Sequence, residues 1–180
     1  MKKIVLTFGL ISGAITALMM LVTQPLVGRL SFDTLEIVGY TTIVVAFLMV
    51  FFGIRSYRET VGGGTISFGR ALKVGLLITL ISSACYVLAW EIIYYTIAPD
   101  FIEKYGNYVI EKVRASGAAP EEVESQRQRM DTLKELYKNP IINLAMTLME
   151  PLPIGVLITL ISSLILRRRE PKNDMSEVKV

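Results

Sequence analysis

Apolar residues are clumped along this chain, and the clumps set its architecture. Four stretches are long and nearly free of charge, at about 4–28, 37–54, 71–98 and 141–166. About 20 residues of helix cross the hydrocarbon core of a bilayer, so each stretch is a candidate span. The pattern predicts an all-α protein. It is a four-helix transmembrane bundle, with residues 1–180 as a single membrane domain. Residues 99–140 read differently. Pro99 ends the third span, and Phe101, Ile102, Tyr105, Tyr108, Val109 and Val113 then recur at the spacing of an amphipathic helix. The run SGAAP breaks that pattern. Pro120 suits a first helical position, and Glu121, Glu122 and Glu124 suit a first turn. Val123, Met130, Leu133 and Tyr137 then continue at heptad-like spacing up to Lys138 and Asn139, before Pro140. The expectation is an extracytoplasmic two-helix hairpin between spans three and four. Its apolar faces pair with each other, lie on the bilayer, or meet a partner protein or second copy through 101–138.

Two of the spans carry the same writing. VGLLITLISS at 74–83 returns as IGVLITLISS at 154–163. On a helix, Gly75, Thr79 and Ser83 share one face, and so do Gly155, Thr159 and Ser163. This small-xxx-small pattern lets membrane helices approach closely, with hydroxyls free to bond across the gap. Spans three and four run in opposite directions, so both patches lie at the same depth. The expectation is that they face each other, antiparallel. The alternative is chance in a restricted alphabet, with the hydroxyls bonding back to their own helices. Span one carries a comparable row, Gly9, Gly13 and Ala17.

Charge orients the bundle. Short cytoplasmic loops collect Lys and Arg. Eleven of the nineteen basic residues precede span one, flank the connection between spans two and three, or follow span four. The connection between spans one and two has Arg29 alone, and the hairpin's seven basic residues sit beside eight acids. Both termini are therefore expected in the cytoplasm, with residues 167–180 as a cytoplasmic tail and the hairpin outside an inner membrane. The first span follows Met1-Lys2-Lys3 but is too long for a cleaved signal and lacks an A-x-A site, so it reads as a retained anchor. The hairpin's near-balanced charge argues against nucleic acid as a partner.

Composition narrows the chemistry. The chain has one cysteine, Cys85, and no histidine. Disulfides within the chain, Cys ligand sets and His-based triads are excluded. Gly62, Gly63 and Gly64 form a turn near arginines, but no G-x-x-x-x-G-K-[ST] is present, so no nucleotide loop is expected. No cofactor or metal is predicted. The residues that cost energy are the acids inside spans. Glu150 lies about nine rises, roughly 14 Å, along span four, near the bilayer midplane. A charge there is expensive, so it must find a partner or stay protonated. It opens the run EPLP, where Pro151 and Pro153 withdraw two backbone donors and leave the carbonyls of Thr147 and Met149 without their usual partners. One reading is a bent helix whose free carbonyls and acid hold a cation or relay a proton. The other is a kink satisfied by neighbours, with Glu150 bonding to Tyr40, Thr41 or Thr42. Glu91, beside Tyr94 and Tyr95, either reaches water through an outer aromatic belt or joins that polar pathway.

The run FFGIRSYRETVGGGTISFGRALKVGLLITLISSACYVLAWEI, with KNP and EPLPIGVLITLISSLILRR, resembles a bacterial family of small integral membrane proteins. This is domain-of-unknown-function family 4199, typical of the Bacteroidota. The resemblance implies an inner-membrane location and four membrane helices. It implies no activity and no site residues. The expected function is a non-enzymatic scaffold or partner-binding membrane protein. The alternative is a small proton- or cation-coupled transporter that uses Glu150 and Glu91.

Overall fold

Five of the helices start where a side chain or a proline deals with free backbone N–H groups. In the computed structural model, which describes residues 1–168, seven α-helices follow in order. The first, α1 (Lys2–Thr23), runs into a short 3-10 turn at Gln24–Leu26. Ser31 caps α2 (Phe32–Thr60) by accepting from the Thr34 N–H at 3.2 Å. Ser67 does the same for α3 (Phe68–Thr96), from the Arg70 N–H at 3.4 Å. The pair α4 (Phe101–Ala115) and α5 (Pro120–Tyr137) forms a hairpin whose tight turn uses Gly117 at φ +79°. Asn139 caps α6 (Pro140–Leu148), and α7 (Pro151–Leu166) completes the fold.

Four helical segments are long and apolar enough to cross a membrane: Lys2–Leu26, Phe32–Thr60, Phe68–Thr96 and Pro140–Leu166. The direction of their side chains supports a lipid surround. Leu10, Leu18, Leu80, Leu88, Leu157 and Ile165 point outward, while Ser12, Thr79, Ser82, Ser83, Thr159 and Ser163 are buried. A water-soluble bundle would show the reverse. Lipid tails match the outward Leu and Ile, and small hydroxylated residues allow close helix packing inside. The protein is a multi-pass membrane protein.

α3 is the hub, packed on α1, α2, α6 and α7. The ends of the bundle differ. At one end the α2–α3 loop meets the residues after α7, where Ile66 and Arg168 exchange backbone hydrogen bonds at 3.0 Å each. At the other end the α4–α5 hairpin folds back over the bundle. Phe32, at the start of α2, packs against Phe101, Tyr105 and Tyr108, with ring centroids 5.7, 5.5 and 5.2 Å away. Lys112 reaches Asp33 at 2.6 Å, and Tyr94 of α3 meets Tyr137 of α5 at 5.9 Å.

Two boundaries depart from the sequence reading. The helix that holds the second apolar stretch, 37–54, starts at Phe32 and extends to Thr60. The Ser31 cap and Asp33 in the first turn hold those polar residues in the helix. At 29 residues, α2 is about 44 Å long and outruns a hydrocarbon core of about 30 Å. The fourth span is interrupted at Met149–Glu150, where both residues keep α-helical backbone angles, and is thus divided into α6 and α7. The basic residues Arg169, Lys172 and Lys179 lie outside the described residues.

Candidate functional site

At the termini end, the duplicated patches meet. Thr79 and Thr159 share a hydrogen bond at 3.0 Å, and the Thr79 hydroxyl also donates to the Gly155 carbonyl at 3.3 Å. The fit is reciprocal. A Cβ on Gly75 would stand 2.6 Å from the Thr159 methyl, and one on Gly155 would stand 2.5 Å from the Thr79 methyl. Ser83 and Ser163 are buried, and their hydroxyls have no partner among the described residues. The opposite face of α3 meets α1 in a similar way. Ser12 and Ser82 bond at 2.8 Å, and a Cβ on Gly9 would lie 2.8 Å from Ile81. Gly13 has no room for a side chain against Cys85. The helix contacts in this half of the bundle are close-packed.

The hairpin end is built otherwise. Here α3 presents Tyr86 and Trp90 in place of small residues, and the helices enclose a partly open cavity of about 380 Å³. Such a volume lies at the small end of the range for small-molecule sites. The end of α1 supplies Thr23 and the turn after it Gln24; α2 supplies Phe32, Glu36 and Tyr40 from one helical face. The hairpin closes the top with Phe101, Tyr105 and Tyr137. Thr147 of α6 and Glu150 at the helix break form part of the wall.

Glu150 is the chemical centre of this cavity. It occupies the N-cap position of α7 and lines the cavity with accessible surface. Tyr86 donates its hydroxyl to the carboxylate at 2.5 Å. A helix N-terminus favours a negative charge, but here Pro151 and Pro153 remove two of the first three N–H groups. Those prolines open α7, directly after the interruption at Met149–Glu150. Pro151 is buried, while Pro153 is exposed. The Thr147 carbonyl, expected to be free, accepts from the Glu150 N–H at 3.3 Å. The partner on α3 also differs from the Tyr40, Thr41 or Thr42 considered from the sequence. Tyr40 does line the cavity, but Thr41 and Thr42 do not, and Thr42 bonds back to the Val38 carbonyl.

Glu91 does not line the cavity. It follows Trp90 on α3, and one of its carboxylate oxygens is buried without a partner among the described residues. Glu36 takes its place as the second acid on the cavity. A helical row, Phe32, Glu36 and Tyr40, was the available signal for it, as was the i, i+4 pair Tyr86 and Trp90. The lining contains no Lys or Arg. In the lid, burial pushes the phenol of Tyr105 up, and pushes that of Tyr137 up to about 12. Both therefore stay neutral hydroxyls at ordinary pH. The cavity offers two carboxylates, several hydroxyls and aromatic rings, and no positive charge. It can hold a cation, or a proton on Glu150.

Over residues 7–168 the chain matches the DUF4199 family, described as "Protein of unknown function", and it belongs to that family. No curated protein and no solved structure matches it.

Proposed function

We propose that this is a non-enzymatic protein of the inner membrane that binds a small cation in its hairpin-end cavity and exchanges it for a proton on Glu150. In this reading both termini are cytoplasmic, as the distribution of Lys and Arg favours, and the hairpin is the outer lid. One observation carries the reading: an acid at a helix break inside a span, on a cavity wall with one hydroxyl donor and no basic residue. A carboxylate so placed is stabilised either by a proton or by an incoming cation. Broken helices with a binding group at the break are a recurring way to build transport sites. Phe101, Tyr105 and Tyr137 of the hairpin border the cavity. Proteoliposomes with a trapped pH dye test the idea. An imposed cation gradient should drive proton movement, Glu150→Gln should abolish it, and Glu91→Gln should leave most of it. Equal flux in the Glu150→Gln protein rejects the exchange.

A second reading retains the scaffold role. No residue of α5 is buried, so its whole outer surface is open to a partner or a second copy. Charge reversal at Arg127 and Arg129 should then remove a co-purifying chain while the bundle stays folded.

A further inference from the structure

We infer that the cavity's ligand is an organic ammonium ion with an apolar substituent. This rests on the cation-binding reading above and names its chemistry. The walls decide between classes of cation. Tyr40, Tyr86, Trp90, Phe101, Tyr105 and Tyr137 all border the same space, and Phe32 stands beside them. The electron-rich faces of such rings attract cations that are weakly hydrated, and clustered rings are the usual means of holding quaternary ammonium groups. A hard metal ion asks for something else, namely six or more oxygen ligands in close array. Among the described residues no group of three Asp, Glu, His or Cys side chains could supply one. An anion would meet Glu36 and Glu150 with no Lys or Arg in the lining to offset them. A neutral ligand would fill the aromatic space but make no use of the two acids in its wall. An ammonium ion with an apolar body satisfies both parts: its charge pairs with the carboxylates and its carbon surface replaces water against the rings. The volume, about 380 Å³, suits a molecule of that size.

The molecule carries its own reporter. Trp90 is the chain's single tryptophan, borders the cavity, and packs edge-on against Phe101 of the lid at 4.8 Å. The purified full chain in detergent can be titrated with benzyltrimethylammonium while its tryptophan emission is followed. The expected result is a saturable change. Neopentylbenzene, the uncharged isostere, should bind at least tenfold more weakly, and sodium chloride at matched concentration should produce no change. Glu150→Gln should weaken the ammonium ion at least tenfold. Because that variant alters a residue at a helix start, Glu36→Gln is the companion. It lies at an exposed position, and severalfold weaker binding is expected. Equal affinity for the isostere, the same response to sodium, or unchanged affinity in both variants overturns the inference. If Glu150→Gln still abolishes proton flux in liposomes while benzyltrimethylammonium fails to bind, the exchange reading stands and the ammonium assignment alone falls.

Discussion

Gly155 gives the most demanding test of the bundle's packing. Replacing it by Ala puts a Cβ 2.5 Å from the Thr79 methyl and 2.8 Å from the Phe47 ring. Carbon atoms pack comfortably at about 3.5–4.0 Å, so the overlap is about 1 Å against both. Neither neighbour yields easily. Thr79 is β-branched and hydrogen-bonded on a helix, and Phe47 is 1% exposed. Overpacking of this kind costs about 1–3 kcal/mol, and the upper half of that range is expected here. Thr79→Ser removes the offending methyl and keeps the hydroxyl for Thr159. Alone it should cost about 1 kcal/mol for the lost packing. In the double variant the methyl clash disappears but the Phe47 clash stays, so rescue should be partial.

The reciprocal site sets the contrast. Gly75→Ala meets the Thr159 methyl at 2.6 Å and the tip of Ile54 at 3.0 Å. A terminal Ile carbon can rotate aside where a buried ring cannot. Thr159→Ser should therefore rescue Gly75→Ala more fully than Thr79→Ser rescues Gly155→Ala. Reversible unfolding in mixed detergent and denaturing micelles, followed by circular dichroism, measures all six variants. Coupling of about 1 kcal/mol is expected at each pair, larger at Gly75–Thr159. Additivity within about 0.3 kcal/mol at both pairs would refute the claim that these atoms set the approach of α3 and α7.

Ser12→Ala leaves the Ser82 hydroxyl buried without its partner at 2.8 Å and should cost about 1 kcal/mol, whereas Ser12→Ala with Ser82→Ala should cost less than the sum of the single changes in the same unfolding assay. Burial raises the Tyr137 phenol to about 12 from an ordinary value near 10. The neutral ring is thus favoured in the fold, and its contribution is complete below pH 10 and lost as pH rises towards 12. Trp90 emission should report the hairpin loosening over that window, and Tyr137→Phe should flatten the response.

The spans and the helices of the hairpin were legible because hydrophobic clumping and helical periodicity are local properties of the chain. The start of α2 was not. A hydropathy reading stops at Glu36 and Asp33, while the backbone follows the Ser31 cap and continues through both. The break before α7 was missed for a different reason. Ile154–Leu166 cannot cross a bilayer alone, which suggested one continuous helix through the prolines. The chain instead crosses in two pieces, with the Glu150 N–H and the Thr147 carbonyl closing the end of α6. Periodicity exposed the faces carrying Gly75 and Gly155 but could not name what each touches. The cavity was the least legible feature. Phe32 and Glu36, Tyr86 and Trp90, and Tyr105 and Tyr137 come from separate regions of the sequence, and only the tertiary fold brings them to one space.

The tight half and the hollow half of this bundle have one cause. Along α3, small and hydroxylated residues occupy the termini end and Tyr86 and Trp90 the other. Side-chain volume sets how near two helices can come. At Gly75 and Thr79 the backbone of α7 is drawn in, and at Gly9 and Gly13 that of α1. Towards the hairpin, bulky rings hold the helices apart. The break at Met149–Glu150 adds to the effect: α7 packs on both α2 and α3, whereas the main contacts of α6 are with α3 and α5. α6 is thereby released from the line that α7 follows along α2. A gap opens there, and the hairpin covers it with its own rings, pinned by Lys112 to Asp33. Glu150 stands at the point where close packing gives way to open volume. Its carboxylate is held by Tyr86 from the same helix that anchors the tight half. Fewer than two turns of α3 separate Tyr86, on the open side, from Thr79 and its contact with Thr159 on the tight side.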